Sequence, residues 1–586
     1  MSEFEKSASN ERPASGGDTI LFGEEDDNSN IERGQKPTRI KLNEKDIDAQ
    51  LGLEKEDEFK RASSSDRSVQ STRSTSRRII SFEENDPEQP NNWNQKKKAY
   101  VVFVSIAIVI NSTMSSSLAA GATRPLSNYF HVTDQEQLVL PTSIFLAGYT
   151  FGPLIFGPLS ESFGRKWTMI SAFFLFTVFS MGSAVAPNWS AMIVFRLFVG
   201  IFGACPIAVV GGICADIYHN PESRGRAMAL FMAATTFGPV LGPGISGFIS
   251  VVTWRWAFWI GVIVAGLAWP FLLSMPETYA PIILKRRAQK LRKETGDNSI
   301  VAPIELEKTD IGHIVTVVLT RPIRMFCFEP LVLCSCIYTA YAYGIFYVFF
   351  QAYPIIYIGI YGFNAGEEGL AFLPIGVGAV IAAGIYLCWD SILRRAQARD
   401  TPWSRSEEMR RLPLACIAGP FFVLSLFWAG WTARDSVPWI VPTLAGIPFG
   451  IGYLCLFMAL LNYLVDAYEI FAASAMAASS TSRSIFGTVL PFAARPMYER
   501  LGVPWACSLL GFLSLAMCAI PFVFIKYGTN LRAKSKFCQY LAQRKREEAA
   551  RREREPDGRM PEDVEAGGRR TSSLKAHDNE GMAKKN

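Results

Sequence analysis

Between residues 99 and 525 the chain consists of long apolar blocks separated by short polar gaps. No 3.6- or 2-residue alternation sorts the blocks into an apolar and a polar face, as it would in a soluble protein. A hydrocarbon layer about 30 Å thick is crossed by about 20 residues of helix. An unpaired backbone group inside it costs several kcal/mol, so spanning segments are helices or closed barrels. Barrel strands would be about ten residues long and would alternate. The blocks therefore predict an all-α membrane protein with twelve spans, at 99–121, 138–159, 167–186, 191–213, 227–250, 257–275, 331–350, 370–389, 412–430, 439–461, 470–494 and 503–525.

The polar insert 276–330 divides the spans six and six. The expected organisation is a disordered tail (1–98), a six-helix half (99–275), the insert as linker, a second six-helix half (331–527) and a C-terminal tail (528–586). The first tail is too polar to bury a core, and its run Arg73-Ser74-Thr75-Ser76-Arg77-Arg78 offers a kinase target. No cleavable signal is visible in it, so the first span is expected to direct insertion. In the linker, Leu284, Ala288 and Leu291 share one helical face, while Lys285, Arg286, Arg287, Lys290, Arg292 and Lys293 crowd the rest. Such a basic amphipathic helix is expected to lie on an anionic leaflet. Arginine and lysine concentrate in one set of alternate loops, including Arg165, Lys166, Arg224, Arg226, the linker and Arg394–Arg411. That set should be cytoplasmic, with both termini on the same side.

Composition then removes alternatives. A net charge of +6 spread between the spans gives no basic reading face for nucleic acid. Nine of the eleven cysteines fall in or beside apolar runs, so neither a disulfide framework nor metal-ligand spacing emerges. No nucleophile–base set or cofactor motif stands out, so no enzyme and no cofactor are expected. The expected partners are a small-molecule substrate and the bilayer, with the chain working as a monomer.

Three motifs carry chemistry. The gap after the second span reads Gly157-Pro158-Leu159-Ser160-Glu161-Ser162-Phe163-Gly164-Arg165-Lys166. Its two glycines permit a tight reversal and close helix approach, and Glu161 can meet Arg165 and Lys166 in charge contacts that hold one conformation. The fourth span contains Arg196, with Gly200 one turn on and Asp216 at the far end. A guanidinium inside a span costs at least about 2.5–3.5 kcal/mol and is functional by default. Asp216 lies about 30 Å away along the helix, so Arg196 needs another helix's acceptor, backbone carbonyls or water. The fifth span carries Gly238-Pro239-Val240-Leu241-Gly242-Pro243-Gly244-Ile245-Ser246-Gly247, with Gly238 and Gly242 on one face and two prolines that each remove a donor.

These motifs resemble the loop signature, the fourth-span motif and the antiporter motif of the major facilitator superfamily, with Ser246 in the place of a glycine. Pro276-Glu277-Thr278-Tyr279-Ala280-Pro281, Asp86-Pro87-Glu88-Gln89-Pro90-Asn91-Asn92-Trp93 and Asn462-Tyr463-Leu464-Val465-Asp466-Ala467-Tyr468 are similar to segments of its fungal twelve-span drug:proton antiporters. The resemblance covers residues 85–530 and implies the major facilitator fold, proton coupling through Arg196 and efflux of xenobiotics or self-made metabolites at the plasma membrane. Uptake on the same fold and a non-transporting sensor are the alternatives. The two halves should enclose a substrate cavity to which Tyr343, Tyr347 and Gln351, on one face of the seventh span, contribute with Asn462 and Arg483. No Asp or Glu falls at the middle of any expected span, which leaves the proton carrier unassigned.

Overall fold

The structure, a computed structural model, describes residues 78–83, 85–306 and 319–554. The expected kinase run lies almost wholly outside the described residues. Spans 1 to 10 are Gln95–Gly121, Gln135–Phe163, Arg165–Ala184, Trp189–Ile217, Ser223–Ile249, Trp254–Ser274, Pro330–Ile358, Ala365–Ala398, Glu407–Thr432 and Ile440–Tyr468. The stretch Ala472–Lys534 is too long for one crossing and reverses at Gly502, whose φ of 72° no side-chain-bearing residue adopts readily. It therefore holds spans 11 and 12. The architecture is two six-helix halves, as the apolar blocks predict. We call the end that carries the linker and the outer ends of spans 1 and 12 basal, and the opposite end distal.

Spans 1, 7 and 10 form the interior, and their faces are buried almost throughout. Close packing between helices is set by small residues. A Cβ on Gly148 would stand 2.6 Å from the Ile201 nitrogen, and one on Gly450 would stand 2.9 Å from the Ala379 nitrogen. Without a hydrophobic gain between helices in lipid, such backbone approach supplies the packing energy. Span 5 continues as a helix through Pro239 and Pro243. Its Gly238 and Gly242 are filled from span 1 by the Thr113 and Ser117 hydroxyls, so a Cβ at either position would collide with them.

Two expectations about the polar segments change. Residues 78–83 and 85–98, placed in the disordered tail, carry structure. Strand β1 (Arg78–Ile79) pairs in parallel with β2 (Ile300–Val301) of the linker, and the Ile80 amide donates to the Val301 carbonyl at 3.1 Å. The linker helix Ala280–Thr295 forms, but its apolar face does not lie on lipid. Leu284, Ala288 and Leu291 pack instead on Ile80, Phe82, Ile300, Ala302 and Ile304. Arg287 pairs with Asp86, fastening the tail to this helix. The Glu88 amide first, and Arg287 second, hold the Asp86 carboxyl below its ordinary range. The leaflet reading fails because Ile80 and Phe82, from ahead of span 1, and Ile300, Ala302 and Ile304, from later in the linker, cover the stripe.

Candidate functional site

At the basal end of the first half, Gly164 makes the reversal between spans 2 and 3 with φ 96°. The left-handed backbone aims the Arg165 and Lys166 amides at the Glu277 carboxylate, which accepts them at 2.9 and 3.3 Å. Glu277 also accepts the Thr278 and Tyr279 amides, and it is 7% exposed. It thus caps the start of span 3, whose free N–H groups favour a negative charge. A Cβ at Gly164 would collide with this carboxyl. The Arg165 guanidinium turns inward, bonding Asp216 at 3.1 Å and the Ser160 hydroxyl at 2.6 Å, and lies over the Tyr279 ring.

Two members of the loop motif behave otherwise than expected. Glu161 is exposed, and the partner of Arg165 is Asp216. The carboxylate at the end of span 4 takes the guanidinium instead. Gly157 makes no close approach, because a Cβ there would meet open space. Lys166 reaches back to the Leu273 carbonyl at 3.0 Å. Sequence reasoning noted Glu277 only as part of a motif; its capping role depends on spans 3 and 6 ending side by side.

The second half repeats the arrangement. Arg411, near the start of span 9, bonds Asp466 at the end of span 10 at 2.8 Å and approaches the Tyr386 hydroxyl at 3.4 Å. Arg532 at the end of span 12 pairs with Glu407 and Glu408. Asn462 belongs here rather than with the expected cavity residues. Its amide donates to the Met458 carbonyl at 2.7 Å and reaches Tyr386 at 3.5 Å. One turn of helix before Asp466, it sits too far toward the basal end to join Tyr343.

Arg196 is 1% exposed and does not snorkel. Its Nε donates to the Pro141 carbonyl at 2.8 Å, Nη1 to the Ser115 carbonyl at 2.8 Å and Nη2 to the Ser116 carbonyl at 3.2 Å. The guanidinium stacks 4.6 Å from the Phe145 ring. Spans 1, 2 and 4 are therefore joined by one cation that, among the described residues, hydrogen-bonds main-chain carbonyls. Gly200 allows this, since span 4 lies directly on the Phe145 backbone there.

Beside Arg196 the two halves meet. The Ser116 hydroxyl of span 1 bonds the Tyr347 hydroxyl of span 7 at 2.9 Å. The Tyr343 ring lies tilted 5.0 Å from Tyr347 and 6.5 Å from Phe457, itself 4.5 Å from Tyr453. Arg483 of span 11 lies over Phe457 at 5.2 Å and donates to its own helix at the Ser479 carbonyl. Tyr149 of span 2, bonded to Ser112 at 2.5 Å, completes an aromatic belt drawn from both halves. Tyr343, Tyr347 and Arg483 are brought together, whereas half-buried Gln351 lies two turns beyond Tyr343 toward the distal end. Tyr149, Tyr453 and Phe457 were not singled out, because aromatics within apolar blocks carry no signal of which face they occupy.

Further toward the distal end the halves are sealed. Span 5 lies on the start of span 8, where a Cβ on Gly369 would clash with Gly244 and one on Gly247 with the Ala365 carbonyl. Arg495 of span 11 bonds Gln135 of span 2 at the same end.

Comparison with known proteins agrees with this architecture. The family model described as Major Facilitator Superfamily matches residues 104–491. The citrinin biosynthesis cluster MFS transporter mrr1 of Monascus ruber is 39% identical over 457 residues, covering 77% of this chain and 91% of that protein. The multidrug transporter mdrA of Aspergillus fumigatus is 39% identical over 463 residues, covering 78% and 75%. The efflux pump FUBT of Fusarium oxysporum is 38% identical over 453 residues, covering 76% and 75%. Among solved structures, the xylose transporter XylE of E. coli, in a partially occluded inward-open conformation, aligns with TM-score 0.52 at 16% identity, covering 74% of this chain and 98% of XylE.

Proposed function

We propose, from the premise that this chain belongs to the major facilitator superfamily, that it is a proton-coupled exporter of small organic molecules. Its clients would be xenobiotics, antifungal compounds or a metabolite made by the same cell. It would work as a monomer in a fungal plasma membrane, with the basal end and both termini in the cytoplasm. The observation that carries this reading is the belt of Tyr149, Tyr343, Tyr347, Tyr453 and Phe457 at the seam of the two halves. Aromatic faces suit flat apolar or cationic molecules, and the belt contains no carboxylate, which favours neutral or mixed compounds over polycations. Rocking one half against the other about this seam would expose the belt to each side in turn. The relatives named as a multidrug transporter, an efflux pump and a biosynthesis-cluster transporter support the export direction.

The basal pairs Arg165–Asp216 and Arg411–Asp466 would hold spans 3–4 and 9–10 in register while the halves move. Gly238, Pro239, Gly242, Pro243 and Gly247 would give span 5 its close, slidable surface. Arg196 stays cationic at any physiological pH. Its part would be to hold the carbonyls of spans 1 and 2 and to set the electrostatics of the seam, not to release a proton.

Inside-out vesicles expressing the chain test the proposal. An imposed proton gradient should drive uptake of at least one member of a toxic-compound panel, and collapsing the gradient should stop it. Uptake across the panel that ignores the gradient would overturn proton coupling.

A further inference from the structure

Among the described residues, span 8 contains a carboxyl that nothing above uses. Span 8 begins at Ala365, five residues before its expected start, because Asn364 and Glu367 form a capping box that starts the helix early. Glu368, expected in a polar gap, is thereby drawn into the span. It is 4% exposed. No described residue hydrogen-bonds its carboxyl oxygens or pairs with them; the box uses Glu367, and Glu368 contributes only its amide, to the Asn364 carbonyl at 3.0 Å.

Its surroundings are the distal seal itself. Gly366 and Gly369, on either side of it, press on the Phe248 ring and on the Pro243–Gly244 backbone of span 5. The outer turns of span 5 facing it, from Pro243 to Ser250, contain no titratable group. The charged and titratable groups that act on Glu368 are Arg124, beyond span 1 and exposed, and the Tyr353 and Tyr357 phenols of span 7. The phenols are neutral below about pH 10. An exposed guanidinium outside ion-pair reach is screened by water. Burying a carboxylate with neither hydrogen bond nor close counter-ion costs several kcal/mol, and the group takes up a proton instead.

We propose that Glu368 is a proton-dependent latch of the distal seal: spans 5 and 8 close on it when it is protonated and part when it ionises. The proton forms the O–H bond of the carboxyl on closing and leaves to water when the seal opens. This rests on the proton-coupled reading above and gives that reading a titrating group, which Arg196 cannot supply.

The test places spin labels at Val251 and Ser436, both exposed at the distal end on opposite halves, in the full chain with the other exposed cysteines, Cys327 and Cys388, changed to serine. Distance distributions are recorded in nanodiscs from pH 5 to 9. In the parent chain a short distance at low pH should give way to a longer one as pH rises. Glu368→Gln, which mimics the protonated form, should hold the short distance throughout. Glu368→Asp should retain the transition with a displaced midpoint. A Gln variant that opens with pH as the parent does overturns the proposal. Loss of the transition in Gln and Asp variants alike, with both retaining the parent's melting temperature, also overturns it, because shape rather than charge would then be at work. Gradient-driven uptake by the unaltered chain is scored separately: a pH-dependent seal without coupled uptake leaves the latch standing and removes only the exporter reading.

Discussion

The two halves carry the same arginine–aspartate pair at the same place, yet they embed it differently. In the first half Arg165 and Asp216 expose 9% and 17% of their side chains; in the second Arg411 and Asp466 expose 24% and 32%. The first pair is locked by the Glu277 carboxylate on the Arg165 amide and by Ser160, so it belongs to a capped helix start. The second shares its surroundings with Tyr386 and Asn462. The other large cations differ in the same sense. Arg196 in the first half is fully enclosed by three carbonyls, while Arg483 in the second is half-buried with one carbonyl and an aromatic face. The first half thus reads as the stiffer body and the second as the more adaptable one, which suits a seam whose aromatic belt is mostly built by spans 7 and 10.

Removing these two cations in turn sharpens this contrast most. Arg196→Ala removes three charge-assisted hydrogen bonds that tie span 4 to the carbonyls of spans 1 and 2, each worth about 1.5–3 kcal/mol. Gradient-driven uptake should fall at least about a hundredfold, with surface expression checked by labelling. Arg483→Ala should cost only about three- to tenfold, since one carbonyl and a cation–π contact worth about 0.5–2 kcal/mol are lost. Equal losses would break the comparison. Next, double-mutant cycles on melting of the purified protein should give a coupling of about 1–3 kcal/mol for Arg165 with Asp216 and less than about 1 kcal/mol for Arg411 with Asp466, following burial. Gly242→Leu should then lower turnover several-fold by forcing spans 1 and 5 apart, an overpacking cost of about 1–3 kcal/mol; unchanged turnover in the vesicle assay would show the approach to be incidental.

The smallest effect is expected at the tail. Asp86→Asn removes the charge that Arg287 holds, and tryptic cleavage after Arg78 should accelerate a few-fold with uptake unchanged. Because the Asp86 carboxyl is held below its ordinary range, its contribution is present at neutral pH and is lost only in acid, as pH falls through the lowered value.

Most of the architecture was legible from block length alone, because lipid leaves the backbone no alternative to long helices. Gly164 could be read from its place in a reversal, and Arg196 from its cost. What escaped was what adjacency creates. Glu277 becomes a helix cap only once span 6 ends beside span 3, and Tyr149 joins the belt only once spans 2 and 7 face each other. Glu368 was hidden by a boundary: hydropathy starts span 8 at residue 370, whereas a polar capping box starts it at Ala365. The linker stripe was legible as amphipathic, but periodicity does not say whether lipid or another segment covers it.

The pairing of β1 with β2 joins a segment ahead of span 1 to one behind span 6. The first six helices are in effect circularised, with their entrance and exit stitched together outside the membrane. Ala302 and Ile304 extend the stitch by packing on the linker helix, and the chain then runs on to span 7. A fusion partner inserted before residue 77 should leave that ring intact, whereas a deletion reaching Phe82 would unpick it.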